Sequence, residues 1–412
     1  MLRVWPLVLI LCLLSAGCTV NEVIVAEESE LVVADVPVEE SRLLDVGIVE
    51  FAPGIDEDNN PRETGVYEEI RFAETKYLAY HLKTTLQGTG HWGAVRVIPT
   101  REAFTDIVIS GDIGKSNGEF VELNVSVQDA AGRHWFDKSY EMQTGVTSYS
   151  DRRDRRLDPY QKVFNDIAND LYAFASALPP KQLQQTRQVS ELKFFADMSP
   201  IAYGNYLATD DDGITTIMRL PAENDPTVDR LRQIRERDRL VVDTLNEHYA
   251  NFYYGIAIPY HSWRKTAREE SVNYRQVKRS AVMQTLIGAV VLASSLAYEA
   301  NSSSYSNRQM QRGLQNIGIA QGLDTMVTGI TRRKEAAMHR EAIKELSESF
   351  GAEAAPMVVT VEGETRRLTG TAAAQYESWR RLLKQIYEAE TGFVDNADDG
   401  DADPVRVPEP TG

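Results

Sequence analysis

The strongest constraint on the fold is a change of hydrophobic period near Pro226. Ahead of it, short apolar runs alternate with polar residues. Phe120 to Gln128 puts Val121, Leu123, Val125 and Val127 on one face and Glu122, Asn124, Ser126 and Gln128 on the other. That two-residue period predicts a half-buried strand. Ala130-Ala131-Gly132-Arg133 then reads as a hairpin turn, and His134 to Met142 as the return strand. Further strands are predicted at Asp45 to Phe51, Ala94 to Ile98 and Asp106 to Ile113. Two helices are predicted among them. One runs from Glu68 to Leu86 and is stopped by Gly88-Thr89-Gly90; the other runs from Tyr160 to Leu178 and is ended by Pro179-Pro180.

Beyond Pro226 the spacing is helical. Val228 to Ile256 predicts one helix, Pro259 an interruption, Ser262 to Ala300 a second helix and Asn307 to Phe350 a third. Helices of this length exceed the usual range of about 10–14 residues, so the last two are expected to pair as an extended hairpin. Met357 to Leu368 reads as a short β-hairpin and Ala372 to Thr391 as a helix. The expected fold class is α+β, with a small mixed sheet and flanking helices, then a long α-helical hairpin region, then a short β-hairpin plus helix. The expected divisions are 1–17 signal peptide, 18–43 acidic tether and 44–180 α+β domain. After these come 181–225 connector, 226–350 long helices, 351–393 β-hairpin and helix, and 394–412 disordered acidic tail.

The amino terminus carries the most specific motif. Met1-Leu2-Arg3 precedes an apolar run from Val4 to Leu14, then Ser15-Ala16-Gly17-Cys18. A charged start, a short apolar stretch and a small-residue site are the parts of a secretory signal. The run is too short to span a membrane, which takes about 20 apolar residues. Leu14 to Cys18 resembles the lipobox of bacterial lipoproteins. The resemblance implies cleavage before Cys18 and acylation of that cysteine, and Thr19 after it implies the outer membrane. The other cysteine, Cys12, lies in the part that would be removed, so the mature chain is expected to hold no disulfide. Residues 19–43, with Glu27-Glu28-Ser29-Glu30 and Glu39-Glu40, read as a tether of about 25 residues that could span about 80 Å. The net charge of −17 argues against nucleic acid as a partner.

In the first domain, Val46-Gly47-Ile48-Val49-Glu50-Phe51, Ile107 to Gly111 and Val121 to Arg133 carry a second likeness. These segments resemble a family of periplasmic domains. It is shared by the curli secretion channel lipoprotein, penicillin-binding-protein activator lipoproteins and the amino-terminal domain of the Tol–Pal propeller protein. The resemblance implies a small interaction domain and covers about a third of the chain.

Few residues suggest chemistry. Ala281 to Tyr298 is apolar and uncharged over 18 positions, while Arg312, Gln315, Asn316, Gln321 and Asp324 on the following helix make an isolated membrane hairpin costly. Gly288, Gly313, Gly318, Gly322 and Gly329 would let two helices approach closely. A close-packed hairpin, an oligomerisation tip and an element entering a bilayer as part of a ring all remain open. The six histidines, at 81, 91, 134, 248, 261 and 339, show no i, i+3 or i, i+4 pairing suited to a metal. Ser190-Glu191-Leu192-Lys193 has the spacing of a serine–lysine pair but no second motif to complete a site. Asp210-Asp211-Asp212-Gly213 lacks the later glutamate of a calcium loop. Tyr376, Trp379 and Tyr387 form a stripe that fits a core, or a docking surface where exposed.

No catalytic set, cofactor or metal is expected. The expected role is a non-enzymatic outer-membrane lipoprotein, held by its lipid, that scaffolds or assists an envelope assembly or secretion machine through an unidentified envelope protein. The alternatives are a ring-forming export channel, which would be a homo-oligomer, and a periplasmic hydrolase whose site the sequence does not reveal.

Overall fold

The computed structural model describes residues 29–101, 104–150, 157–298, 337–348, 357–361 and 364–391; from 274 to 298 it describes the backbone alone. Five strands form one mixed sheet: β1 (Val46–Val49), β2 (Val95–Ile98), β3 (Ile107–Ser116), β4 (Phe120–Asp129) and β5 (His134–Gln143), in the order β2-β1-β3-β4-β5. β1 runs parallel to both β2 and β3, and β3, β4 and β5 form an antiparallel meander. Parallel neighbours need a crossover, and helix α1 (Glu68–Thr89) supplies it between β1 and β2. It ends where Gly90 turns left-handed at φ 70°, a conformation glycine adopts without the Cβ penalty. The alternating face of β4 is buried as its period demands, with Val121, Leu123, Val125 and Val127 at most 2% exposed. Helix α2 (Gln161–Ala177) turns Val163, Ile167 and Leu171 into the same core.

Three stretches depart from the sequence reading. The region 181–225, expected as a connector, holds a 19-residue helix, α3 (Pro180–Met198), and a small hairpin of β6 (Leu207–Thr209) and β7 (Thr215–Ile217). Pro180 opens this helix as well as closing the one before it, because a helix's first residue needs no amide hydrogen. The buried face of α3 includes Thr186 and Ser190 among its apolar residues, which breaks up the hydrophobic period in the sequence.

The expected break at Pro259 does not occur. One helix, α4, runs unbroken from Pro226 to Tyr298. Proline removes the hydrogen bond to the carbonyl four residues earlier, and here that residue is the exposed Gly255, whose carbonyl water can reach. Ile256, Tyr260, Trp263 and Arg264, all at most 1% exposed, hold the helix down across the lesion.

Part of the segment expected as a tether is held to the body. Residues 29–34 lie on the body: Asn165 and Asn169 of α2 donate to the carbonyls of Ser29 and Glu30, and the Val32 and Ala34 amides donate to Asn169 and to the Thr89 carbonyl. Acidic composition suggested a solvated segment, but two asparagines one helical turn apart capture its backbone.

The β-hairpin of β8 (Met357–Val361) and β9 (Glu364–Leu368) and helix α5 (Ala372–Thr391) form as expected. They join the same continuous apolar core as the sheet, so these divisions of the sequence are not separate cores. Among the described residues no helix is long and apolar enough to cross a membrane. The third helix expected from the sequence, over 307–350, lies outside the described residues apart from a helical piece at 337–348.

Because the Pro259 ring forfeits one backbone bond inside a helix held on both sides, Pro259→Ala is expected to raise stability, by up to about 3 kcal/mol. Urea unfolding of the full chain checks this; an unchanged or lowered midpoint would contradict the account of α4.

Candidate functional site

Two features built from charged side chains stand out, one sealed and one open. The sealed one fastens α4 to the sheet domain. Arg264 of α4 meets Asp158, on the approach to α2, through two parallel bonds of 2.8 Å, with the side chains 1% and 5% exposed. Tyr77 of α1 donates to the same carboxylate at 3.1 Å, and the guanidinium lies 4.2 Å from the Tyr260 ring centre and 4.8 Å from that of Tyr160. Burial alone would push the Asp158 carboxyl up, but Arg264 holds it well below the usual carboxylate range. The β3–β4 turn shows how close the helix comes. Gly118, at φ 82°, passes so near that a Cβ there would sit 2.2 Å from the Arg264 carbonyl oxygen.

A second pair lies alongside. Arg71 and Glu74 of α1 are 3.1 Å apart and each 1% exposed. Burial drives the Glu74 carboxyl upward against the pull of Arg71, while Ser116 and the Tyr260 hydroxyl donate to it. His81 completes the layer between Tyr253 at 2.8 Å and Gln161 at 2.9 Å. Burial lowers its affinity for a proton, and the nearby Asp158 only partly offsets this. Sealed, internally paired and stacked between rings, these groups hold structure together and touch no substrate space.

The open feature is a cleft of about 560 Å³ where α3 and α4 meet the amino-terminal ends of β1 and β3. Arg232 of α4 pairs with Glu191 of α3 at 2.9 Å. Arg239 bridges Asp45 at 3.0 Å and Glu236 at 2.7 Å. Arg235, only 7% exposed, donates to Ser190 Oγ at 2.7 Å and to the Phe104 carbonyl at 3.1 Å. Asp106, buried beside it, accepts from the Asp45 amide, and burial raises its carboxyl pKa. A further cavity of about 490 Å³ lies between α4 and β8. Neither cleft carries a short sequence signature, because their walls come from segments far apart in the chain.

The residues singled out in the sequence do not gather. Cys18, Gly313, Gly318, Gly322 and Gly329 lie outside the described residues, and Gly288 lies on α4 where the backbone alone is described. Ser190 is spent on Phe104 and Arg235, which leaves no serine–lysine pair with Lys193. Asp210 accepts the amides of Asp212 and Ile214 and closes the β6–β7 turn with its own carboxylate. Tyr376, Trp379 and Tyr387 are core residues at 2%, 5% and 1% exposure; the first two donate to the buried Asp238 of α4 at 3.2 Å. The histidines occupy separate places: His91 stacks on Tyr172, His134 meets Asp137, His261 packs near Tyr149, His248 lines the further cavity and His339 lies in segment 337–348. Among the described residues no group of three or more His, Cys, Asp or Glu side chains could hold a metal.

No protein-family model, curated protein or solved structure matches the chain.

Removing one member of a buried pair strands the other charge, so Arg264→Met is expected to cost about 3–5 kcal/mol by urea unfolding; a loss under about 1 kcal/mol, the scale of an exposed pair, would contradict the lock. The lowered His81 pKa sets a pH dependence. The unfolded chain takes up a proton that the folded chain refuses, so stability present above the ordinary histidine value of 6.5 is lost as pH falls through it. Denaturation midpoints on either side of that value should differ less for His81→Gln than for the unaltered chain, since His91 is lowered by burial as well; identical pH profiles would exclude His81 as a cause.

Proposed function

We propose that the chain is a non-enzymatic lipoprotein, anchored through Cys18 on the periplasmic side of the outer membrane. It serves there as a scaffold or accessory subunit of an envelope assembly or secretion machine. The observation that best supports a scaffolding role is α4. A continuous 73-residue helix rises about 110 Å along its axis, and its first part is clamped to an α+β body by buried charge and aromatic packing. Such a rod carries position from one place to another without needing chemistry of its own. The lipobox supplies the anchor in this reading, since several acyl chains, each methylene contributing about 0.8 kcal/mol, hold a protein firmly to a bilayer. Exposed apolar side chains on α4, Leu240, Tyr254 and Ile258 at 65%, 66% and 80%, give the rod places to be touched.

Fractionation of cells making the full chain tests the anchor. The unaltered protein is expected in the membrane fraction, released by detergent, and Cys18→Ser is expected in the soluble periplasmic fraction. A Cys18→Ser protein still bound to membrane would remove the lipid anchor from the account. Light scattering on the detergent-extracted protein addresses the role. A monomer or small assembly agrees with a scaffold, whereas a large closed ring would transfer the reading to an export channel.

A further inference from the structure

We propose that the cleft between α3 and α4 binds a small amphoteric ligand, an amino acid or short peptide carrying both a free carboxylate and a free amino group. Most of the charges that line the cleft are paired. Arg232 and Arg239 are taken up by Glu191 and by Asp45 and Glu236. Two guanidinium groups are not. Arg187 of α3 donates to the Glu40 carbonyl oxygen, and no carboxylate reaches it among the described residues. Arg235 is more than nine-tenths buried, its Nε has no partner, and no carboxylate among the described residues comes within ion-pair distance.

Asp106, Glu191 and Asp45 act on Arg235 through space without a direct ion pair, so this buried guanidinium is only partly compensated. Arg187 spends only Nη1, on Glu40, so its remaining guanidinium edge fits a carboxylate through two parallel bonds. Arg187 and Arg235 line the same cleft, so a ligand carboxylate paired with Arg187 sits in the field of Arg235 as well. The remaining wall argues against a ligand that is only an anion. Glu40 lines the cleft as well, and Asp45 and Glu236 share the single charge of Arg239, so this side keeps an excess of negative charge that repels phosphate-rich molecules and favours an ammonium group. A cavity of about 560 Å³ suits a ligand of a few residues at most. The proposal does not depend on the lipid anchor or on the scaffolding role.

Calorimetric titration of the full chain tests it, with alanyl-alanine as the probe. Its carboxy-terminal amide, its amino-acetylated form and inorganic phosphate serve as comparisons. The expected result is saturable binding of alanyl-alanine, weakened about tenfold by blocking either end. Arg187→Ala is expected to weaken it by a similar factor of about ten while leaving the melting temperature unchanged. Arg187 is half-exposed and outside the core, so this variant separates loss of binding from loss of fold. The proposal is overturned if no saturable heat appears at millimolar dipeptide, if the amide binds as well as the acid, or if phosphate binds more tightly than either.

Discussion

The bidentate contact between Arg264 and Asp158 fixes the relation between the two halves of this chain. A buried ion pair repays its desolvation only when geometry is good and the remaining polar atoms are served. Here Tyr77 donates to the carboxylate, and the rings of Tyr160 and Tyr260 flank the guanidinium. The turn at Gly118 leaves room for the helix backbone that a side chain would take away. The neighbouring Arg71–Glu74 pair is tied to the same tyrosine, since Tyr260 donates to Glu74. Loosening one pair therefore disturbs the other. Once α4 is held at Arg264, its amino-terminal part forms one wall of the cleft, and Asp238 on it receives Tyr376 and Trp379 from α5.

That arrangement explains why the strongest helix breaker in the region does not break the helix. A proline in an isolated helix costs about 3 kcal/mol. Buried aromatic and aliphatic side chains on both sides of Pro259, together with the Arg264 lock, outweigh a penalty of that size. The carbonyl left without a partner belongs to an exposed glycine, so water limits the loss. The continuity of α4 across Pro259, on which a scaffolding role depends, is thus a product of tertiary contacts and not of helical propensity.

How much of this was legible in the sequence depends on whether the signal was local. The alternation of Val121, Leu123, Val125 and Val127, the turn at Gly132, and the stripe of Val163, Ile167 and Leu171 all announce their elements, because burial on one face imposes a period. The helix at Pro180–Met198 leaves no clear period, because buried Thr186 and Ser190 interrupt it; their hydroxyls are satisfied by Asp129, Phe104 and Arg235, which come from elsewhere in the chain. The acidic composition of the docked segment at 29–34 points to a solvated tether, while its partners, two asparagines more than 130 residues away and the Thr89 carbonyl, leave no local signal. The cleft and the lock were illegible for the same reason. Their charged residues come from α1, α3, α4, the approach to α2 and the strand ends, and no short motif marks a meeting of distant segments.

The central claim is that α4 and the mixed sheet form one cooperative unit through the buried charge layer. Site-resolved hydrogen exchange on the full chain tests it most directly. The account predicts that amides of α4 around Tyr260 to Arg264 exchange only by global opening, with the same slow rate as the central strands β1 and β3. They should accelerate together with those strands in Asp158→Asn. Rapid exchange of this part of α4 while the strands stay protected would contradict it, and would make the helix a separately mobile arm.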